Sequence, residues 1–299
     1  MKKTKKISAL FISILLVFTL TYCSKDRLEP KAQTLNAYGS LDVFYTTYRP
    51  AEQSLVVNRN ATGPIIGSHG TKIWVDSTLF MNQNSVDVTY PFTIKLIELY
   101  NPKDMILYNM PTVYGGKLLV TGGEIRVRAF KGTAELILKP SKVYTTHVPA
   151  PAMDPQMGVF YGQNVGAIVN WTNTPSTSLV DSAGFYQMSL QQMGWINCDY
   201  SYTYPPSKST ITFSSTVDDL TNVATFLYFD GIKSVMQVYG KASGDVPVGA
   251  SVKIVCFAAD ASGKLFYYTK NLTVGATNAI DVTLTAVTDQ ALINYLAGL

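Results

Sequence analysis

Alternation of apolar and polar residues at every second position constrains this chain most. Phe92, Ile94 and Leu96 alternate with Thr93 and Lys95, and Ile125, Val127 and Ala129 alternate with Arg126 and Arg128. Tyr186, Met188 and Leu190 keep the same period. That period places one set of side chains on one face of a strand, as in a half-buried sheet. After Lys131-Gly132 the alternation resumes at Ala134, Leu136 and Leu138, which reads as a hairpin. It slips at Leu96-Ile97, where parity turns Glu98 inward and Leu99 outward; a bulge is expected there to restore the phase.

Further strands are expected over 53–58, 71–75, 143–148, 210–214, 224–229, 234–239, 251–258, 264–272 and 279–284, punctuated by glycine and proline turns. From 38 to 172 no segment carries a helical period. Tyr200, Tyr202 and Tyr204 alternate up to Pro205-Pro206, a pair that cannot donate to a ladder and marks a domain boundary. Thr288 is placed to cap a short helix with Leu292, Ile293 and Leu296 on one face. The expected fold is all-β: two antiparallel β-sandwich-like domains, 38–204 and 207–299, closed by a short C-terminal helix.

The first residues carry an address. Lys2, Lys3, Lys5 and Lys6 precede an apolar run over 7–20. A membrane span needs about 20 residues, so this run is too short to cross and suits a signal peptide, residues 1–22. Residues 23–37 read as a polar tether. Leu20-Thr21-Tyr22-Cys23 resembles the lipobox of bacterial lipoproteins. The resemblance implies acylation of Cys23, cleavage just before it, and an outer-membrane, lipid-anchored protein of the cell envelope. That family usually has Gly, Ala or Ser where Tyr22 stands; the rival is ordinary cleavage and a free periplasmic protein. Lys25-Asp26 is similar to the surface-export signal of Bacteroidetes lipoproteins.

The charge is informative once the leader is set apart. The chain has 24 lysines and arginines against 20 acids, and the leader holds four of the lysines and none of the acids. The remainder is neutral, and no basic cluster follows residue 6. A neutral chain has no field to gather nucleic acid, so a nucleic-acid role is excluded. Beyond Cys23, only Cys198 and Cys256 remain. An oxidising envelope permits a disulfide between them, and two separately buried thiols are the other reading.

Four segments carry a resemblance: Gly70-Thr71-Lys72-Ile73; Glu98-Leu99-Tyr100-Asn101-Pro102-Lys103-Asp104-Met105-Ile106-Leu107, followed by Pro111-Thr112; Gly116-Lys117-Leu118-Leu119-Val120-Thr121-Gly122-Gly123-Glu124-Ile125; and Gly194-Trp195-Ile196-Asn197-Cys198-Asp199. Together, over residues 53 to 204, they resemble a family of secreted Bacteroidetes lipoproteins of unknown function. The resemblance implies an envelope lipoprotein with β-sandwich domains and brings no catalytic residue with it.

No catalytic constellation and no cofactor site is legible. His69 sits in a glycine-flanked turn and His147 at a strand end, neither at metal-ligand spacing. A Gly-x-Ser-x-Gly elbow is absent, as are nucleotide-binding glycine loops. Glu98, Asp104 and Glu124 could supply a carboxylate pair for glycan hydrolysis; the alternative is that they hold turns and strand ends. The strongest candidate is the segment holding Trp195, Asn197, Asp199, Tyr200, Tyr202 and Tyr204. Its rings suit stacking on sugars or docking on a partner, or else packing between the domains. Asp76-Ser77-Thr78 and Asp181-Ser182-Ala183 resemble short O-glycosylation sites of Bacteroidetes envelope proteins. The expected function is a non-catalytic, lipid-anchored binding or adhesive module for glycan or protein; the alternative is a structural or assembly component of the envelope.

Overall fold

The computed structural model describes residues 34–299 apart from 61, 151, 166–167 and 174–178. The signal peptide, most of the tether and Cys23 lie outside the described residues. Among the described residues strands dominate and three short helices occur, Asp42–Tyr48, Pro102–Leu107 and Asp289–Ala297, so the fold is all-β with a short C-terminal helix. Asn36–Leu299 forms one compact unit.

The first sheet has eight strands. Its path runs Gln53–Val57, Phe92–Leu99, Lys117–Lys131, Gly194–Ser201, Gly158–Val165 and Ile168–Asn173. Val113–Tyr114 and Ala134–Glu135 pair with the long strand Lys117–Lys131. The second sheet is ordered Leu179–Asp181, Phe185–Leu190, Tyr144–Pro149, Lys72–Trp74 and Ile65–Ile66. A third runs Ser234–Val238, Ala224–Phe229, Ser251–Ala259, Leu265–Thr273 and Thr285–Val287. Pairing within these three sheets is antiparallel. Ile211–Ser214 and Asn278–Asp281 instead pair in parallel.

Three interiors result. The first lies between the first two sheets and takes Phe92, Ile94, Leu96, Ile125 and Val127 from one, Ile73, Val148, Tyr186 and Met188 from the other. The second gathers Ile97, Leu99, Leu119 and Trp195 with Phe226, Val255 and Phe257 of the third sheet and Met105, Ile106, Leu292 and Leu296 of the helices. The third covers the other face of the third sheet, Leu227, Phe229, Ile254 and Cys256, with Ile211, Phe213 and Ile280 of the parallel pair. The C-terminal helix forms as its sequence directs: Thr288 Oγ1 accepts from Ala291 N at 3.2 Å, and Leu292 and Leu296 are buried.

Several expectations are corrected. No bulge occurs at Leu96-Ile97; pairing with the long strand runs unbroken from Thr93↔Phe130 to Leu99↔Glu124. The strand is covered on both faces at that end, so Leu96 enters the first interior and Ile97 and Leu99 the second. The register shift lies instead between Asn197 and Asp199, where Gly194–Ser201 meets the long strand. The span 38–172 is not free of helix. Pro102–Leu107 begins at Asn101, whose side chain accepts from Asp104 N at 3.0 Å, with Pro102 in the first turn. The expected return strand over 134–138 divides: Ala134–Glu135 pairs with the long strand, whereas Ile137–Leu138 pairs with Phe80–Met81. The ladder that holds Tyr200 ends at Ser201, so Tyr202 and Tyr204 lie beyond it, outside any strand. Cys198 and Cys256 are free and buried in different interiors, which is the separate-thiol reading.

Candidate functional site

A cleft of about 770 Å³ opens where the first sheet, the second sheet and one turn of the third converge. Its floor is Val120 to Gly123 of the long strand. Tyr100, Asn101 and Met105 form one wall, Tyr186, Tyr200 and Tyr202 another, and Asp230 to Lys233 with Tyr228 a third. The turn that forms the third wall follows strand Ala224–Phe229 and is tied to the floor by Thr121 N donating to Lys233 O at 3.2 Å. Five tyrosine rings therefore converge on one space, with Asp154, Asp230, Lys233 and Asn101 among them.

Two glycines let the rings lie on the strand. A β-carbon on Gly123 would collide with the Tyr100 ring, and one on Gly122 would stand 3.1 Å from the Tyr186 ring and from Cys198 O. Glycine inside a strand is where another group approaches the backbone closely. Three of the five hydroxyls, those of Tyr100, Tyr186 and Tyr228, are anchored in the protein. Tyr186 Oη accepts from Asp154 N at 2.9 Å, and Tyr228 donates to Asp230 Oδ1 at 3.1 Å. Tyr100 Oη stands 2.6 Å from Thr71 Oγ1. Thr71 gives its own proton to Glu98, so Tyr100 is the donor in that pair. Rings fixed by their hydroxyls are preorganised, which lowers the entropy lost when a ligand stacks on them.

Behind the floor lie two separate groups of acids. Glu98 faces the first interior and is saturated. It accepts from Gln53 Nε2 at 2.8 Å, His69 N at 2.9 Å, Thr71 N at 2.9 Å, Ser68 Oγ at 3.4 Å and the Thr71 hydroxyl. Burial alone would raise its pKa, but the Thr71 and Gln53 side chains and two backbone amides outweigh burial and hold it below the ordinary carboxylate value. Glu124 pairs with Leu99 across the ladder and so lies on the opposite face. There Asn197 Nδ2 donates to Glu124 Oε1 at 3.3 Å and to Asp199 Oδ2 at 2.6 Å. Glu124 Oε2 and Asp199 Oδ1 are buried and meet no donor at hydrogen-bonding geometry. Burial and, for Glu124, the neighbouring Asp199 raise both carboxyls well above their ordinary values.

The sequence-derived candidates thus separate. Trp195 is buried, edge-on to Tyr108 at 5.8 Å with Arg126 over its ring at 5.2 Å. Asn197 and Asp199 form the polar group behind the floor. Tyr200 and Tyr202 line the cleft; Tyr204 does not, and its hydroxyl accepts from Leu118 N and donates to Asp245 O. Glu98, Asp104 and Glu124 do not form one carboxylate group: Asp104 Oδ2 takes the Asn101 side-chain amide at 2.6 Å beside the helix start. His69 stands over Glu98 with Nδ1 3.5 Å from Oε2, and His147 lies between the Trp74 and Phe185 rings on the second sheet. Burial, with Lys72 nearby, keeps His147 below its usual pKa against the opposing effect of the bond its Nε2 donates to Gln187 Oε1. Among the described residues no three His, Cys, Asp or Glu side chains form a metal-binding group.

Sequence reasoning missed Tyr100, Tyr186 and Tyr228 as cleft-lining rings. The signal available was the Gly122-Gly123 pair inside a strand. The four segments that carry the family resemblance converge here: Thr71, Glu98 with Tyr100 and Asn101, Thr121 to Glu124, and Asn197 with Asp199 build the cleft floor and its support. Comparison of the chain with protein-family models, with curated proteins and with solved structures finds no match.

Proposed function

We propose that this chain is a non-catalytic, lipid-anchored protein of the cell envelope that binds glycan in the tyrosine cleft. The carrying observation is the convergence of five tyrosine rings on one space, those of Tyr100, Tyr186 and Tyr228 anchored through their hydroxyls, with a few polar side chains between them. Ring faces stack on the apolar faces of sugars while acids, amides and a lysine take hydroxyl groups. The Lys2 to Cys23 leader supports export and anchoring, and the four converging motifs support the lipoprotein resemblance. A lipid on Cys23 is the expected membrane contact; among the described residues no helix is long and apolar enough to cross a membrane.

The test is an oligosaccharide array probed with the wild type and with Tyr200→Ala, a half-buried ring at the end of its strand. Binding by the wild type that is lost in the variant, with the circular dichroism spectrum unchanged, supports the reading. Equal binding by both moves the ligand elsewhere. Shortening of a bound oligosaccharide on incubation overturns the non-catalytic reading and directs attention to Asp154 and Asp230, the acids that line the cleft.

A further inference from the structure

A second cleft, of about 680 Å³, adjoins the first. Tyr202 lines both. Its ring is braced edge-on by Tyr204 at a centroid distance of 5.6 Å, and Tyr204 is itself pinned through its hydroxyl to Leu118 and Asp245. Tyr202 is therefore a fixed ridge between two hollows. A hollow of about 300–1,000 Å³ holds one drug-sized ligand. Each cleft reaches that size alone, and the pair exceeds what one compact molecule fills.

The two hollows differ in charge. The first carries Asp154, Asp230 and Lys233; the second carries Lys117 and Lys208 and no acid in its lining. Lys208 is partly satisfied by Asp245 at 3.6 Å and lies over the Tyr204 ring. Lys117 is exposed and makes no ion pair among the described residues. An exposed cation beside an aromatic ridge fits an anionic group on a chain that stacks on that ridge.

Resting on the glycan reading, we infer that the ligand is an extended acidic glycan that crosses from one cleft to the other over Tyr202 and sets a carboxylate or sulfate group against Lys117. Affinity then rises with chain length until both hollows are filled, and falls with added salt.

The experiment uses the full chain in detergent on an array of neutral, uronate-bearing and sulfated oligosaccharides of two to eight units, followed by calorimetry on the strongest hit. Wild type, Lys117→Glu and Tyr202→Ala are compared, with circular dichroism as the folding control. The expected result is preference for acidic chains and at least a tenfold gain from two to six units. Lys117→Glu, a change at an exposed position, removes the acidic preference, and Tyr202→Ala removes the length gain. Equal affinity at all lengths, or a Lys117→Glu variant that binds acidic chains as wild type does, overturns this inference while short glycans that need Tyr200 still bind. Absence of any glycan binding overturns the proposed function with it.

Discussion

Gly67 and Glu98 meet so closely that a β-carbon on Gly67 would stand 2.6 Å from Glu98 Oε2. The Gly67 to Thr71 turn is wrapped onto that carboxylate, and Gly67 N also donates to Thr71 O at 2.8 Å. Five donors hold the carboxylate, so it cannot swing away from an added methyl group.

Gly67→Ala is therefore expected to destabilise the fold by about 1–3 kcal/mol, as overpacking of a fixed site does. Urea unfolding monitored by tryptophan fluorescence measures it. A midpoint equal to wild type would mean that the turn can move off Glu98.

Glu98→Gln replaces an acceptor with a group whose amide faces donors. Loss of about 2–4 kcal/mol at pH 7 is expected, from stranded buried donors and the lost charge-assisted bonds. The pH dependence has a fixed sign. The folded pKa lies below the unfolded one, so the carboxylate stabilises above about pH 4.5, and that contribution disappears as pH falls through the folded value. The wild-type advantage over the variant should shrink on acidification, read from unfolding midpoints between pH 7 and pH 3.

Glu124 behaves in the opposite sense. Its pKa is raised by folding, so stability is lost as pH rises from the unfolded value toward the folded one. Each unit of such displacement is worth about 1.4 kcal/mol. Glu124→Gln keeps the shape and removes the titration. The variant should match or exceed wild type in melting temperature at pH 8, with the gap closing toward pH 4.5. A variant less stable at every pH would show that the carboxylate is held by bonds worth more than its desolvation.

The thiols offer a direct check on the interiors. Burial pushes the Cys256 thiol up to about 12 and Cys198 also upward, and both are nearly inaccessible. With Cys23→Ser, the native chain should show no fast reaction with a thiol reagent and two equivalents after denaturation. Native reaction at either position would place it at the surface.

Period-two alternation made Phe92, Ile94 and Leu96 legible because one face of that strand meets an interior and the other is partly wet. The same rule failed one residue later, where helix Pro102–Leu107 and the third sheet cover the second face and both parities turn apolar. A helix of six residues has too few turns to show a period, although Asn101-Pro102 followed by Asp104 carried its start signal. The cleft was half legible. Tyr200 and Tyr202 stood out by spacing, whereas Tyr100, Tyr186 and Tyr228 come from three distant segments that only the tertiary fold joins. The polar residues Asn197 and Asp199 were marked by their place near the rings, but their real partner, Glu124, lies across a bulged ladder whose register local sequence does not specify.

The strand Lys117–Lys131 has one more consequence. Within eight residues it gives Leu118 to the third interior, Leu119 to the second and Ile125 to the first. A single stretch of backbone is thus the common wall of all three, and none can empty without stripping the flank of the next. Melting should pass through one shared transition, and the tyrosine cleft, seated on that wall, should keep its shape until the whole unit gives way.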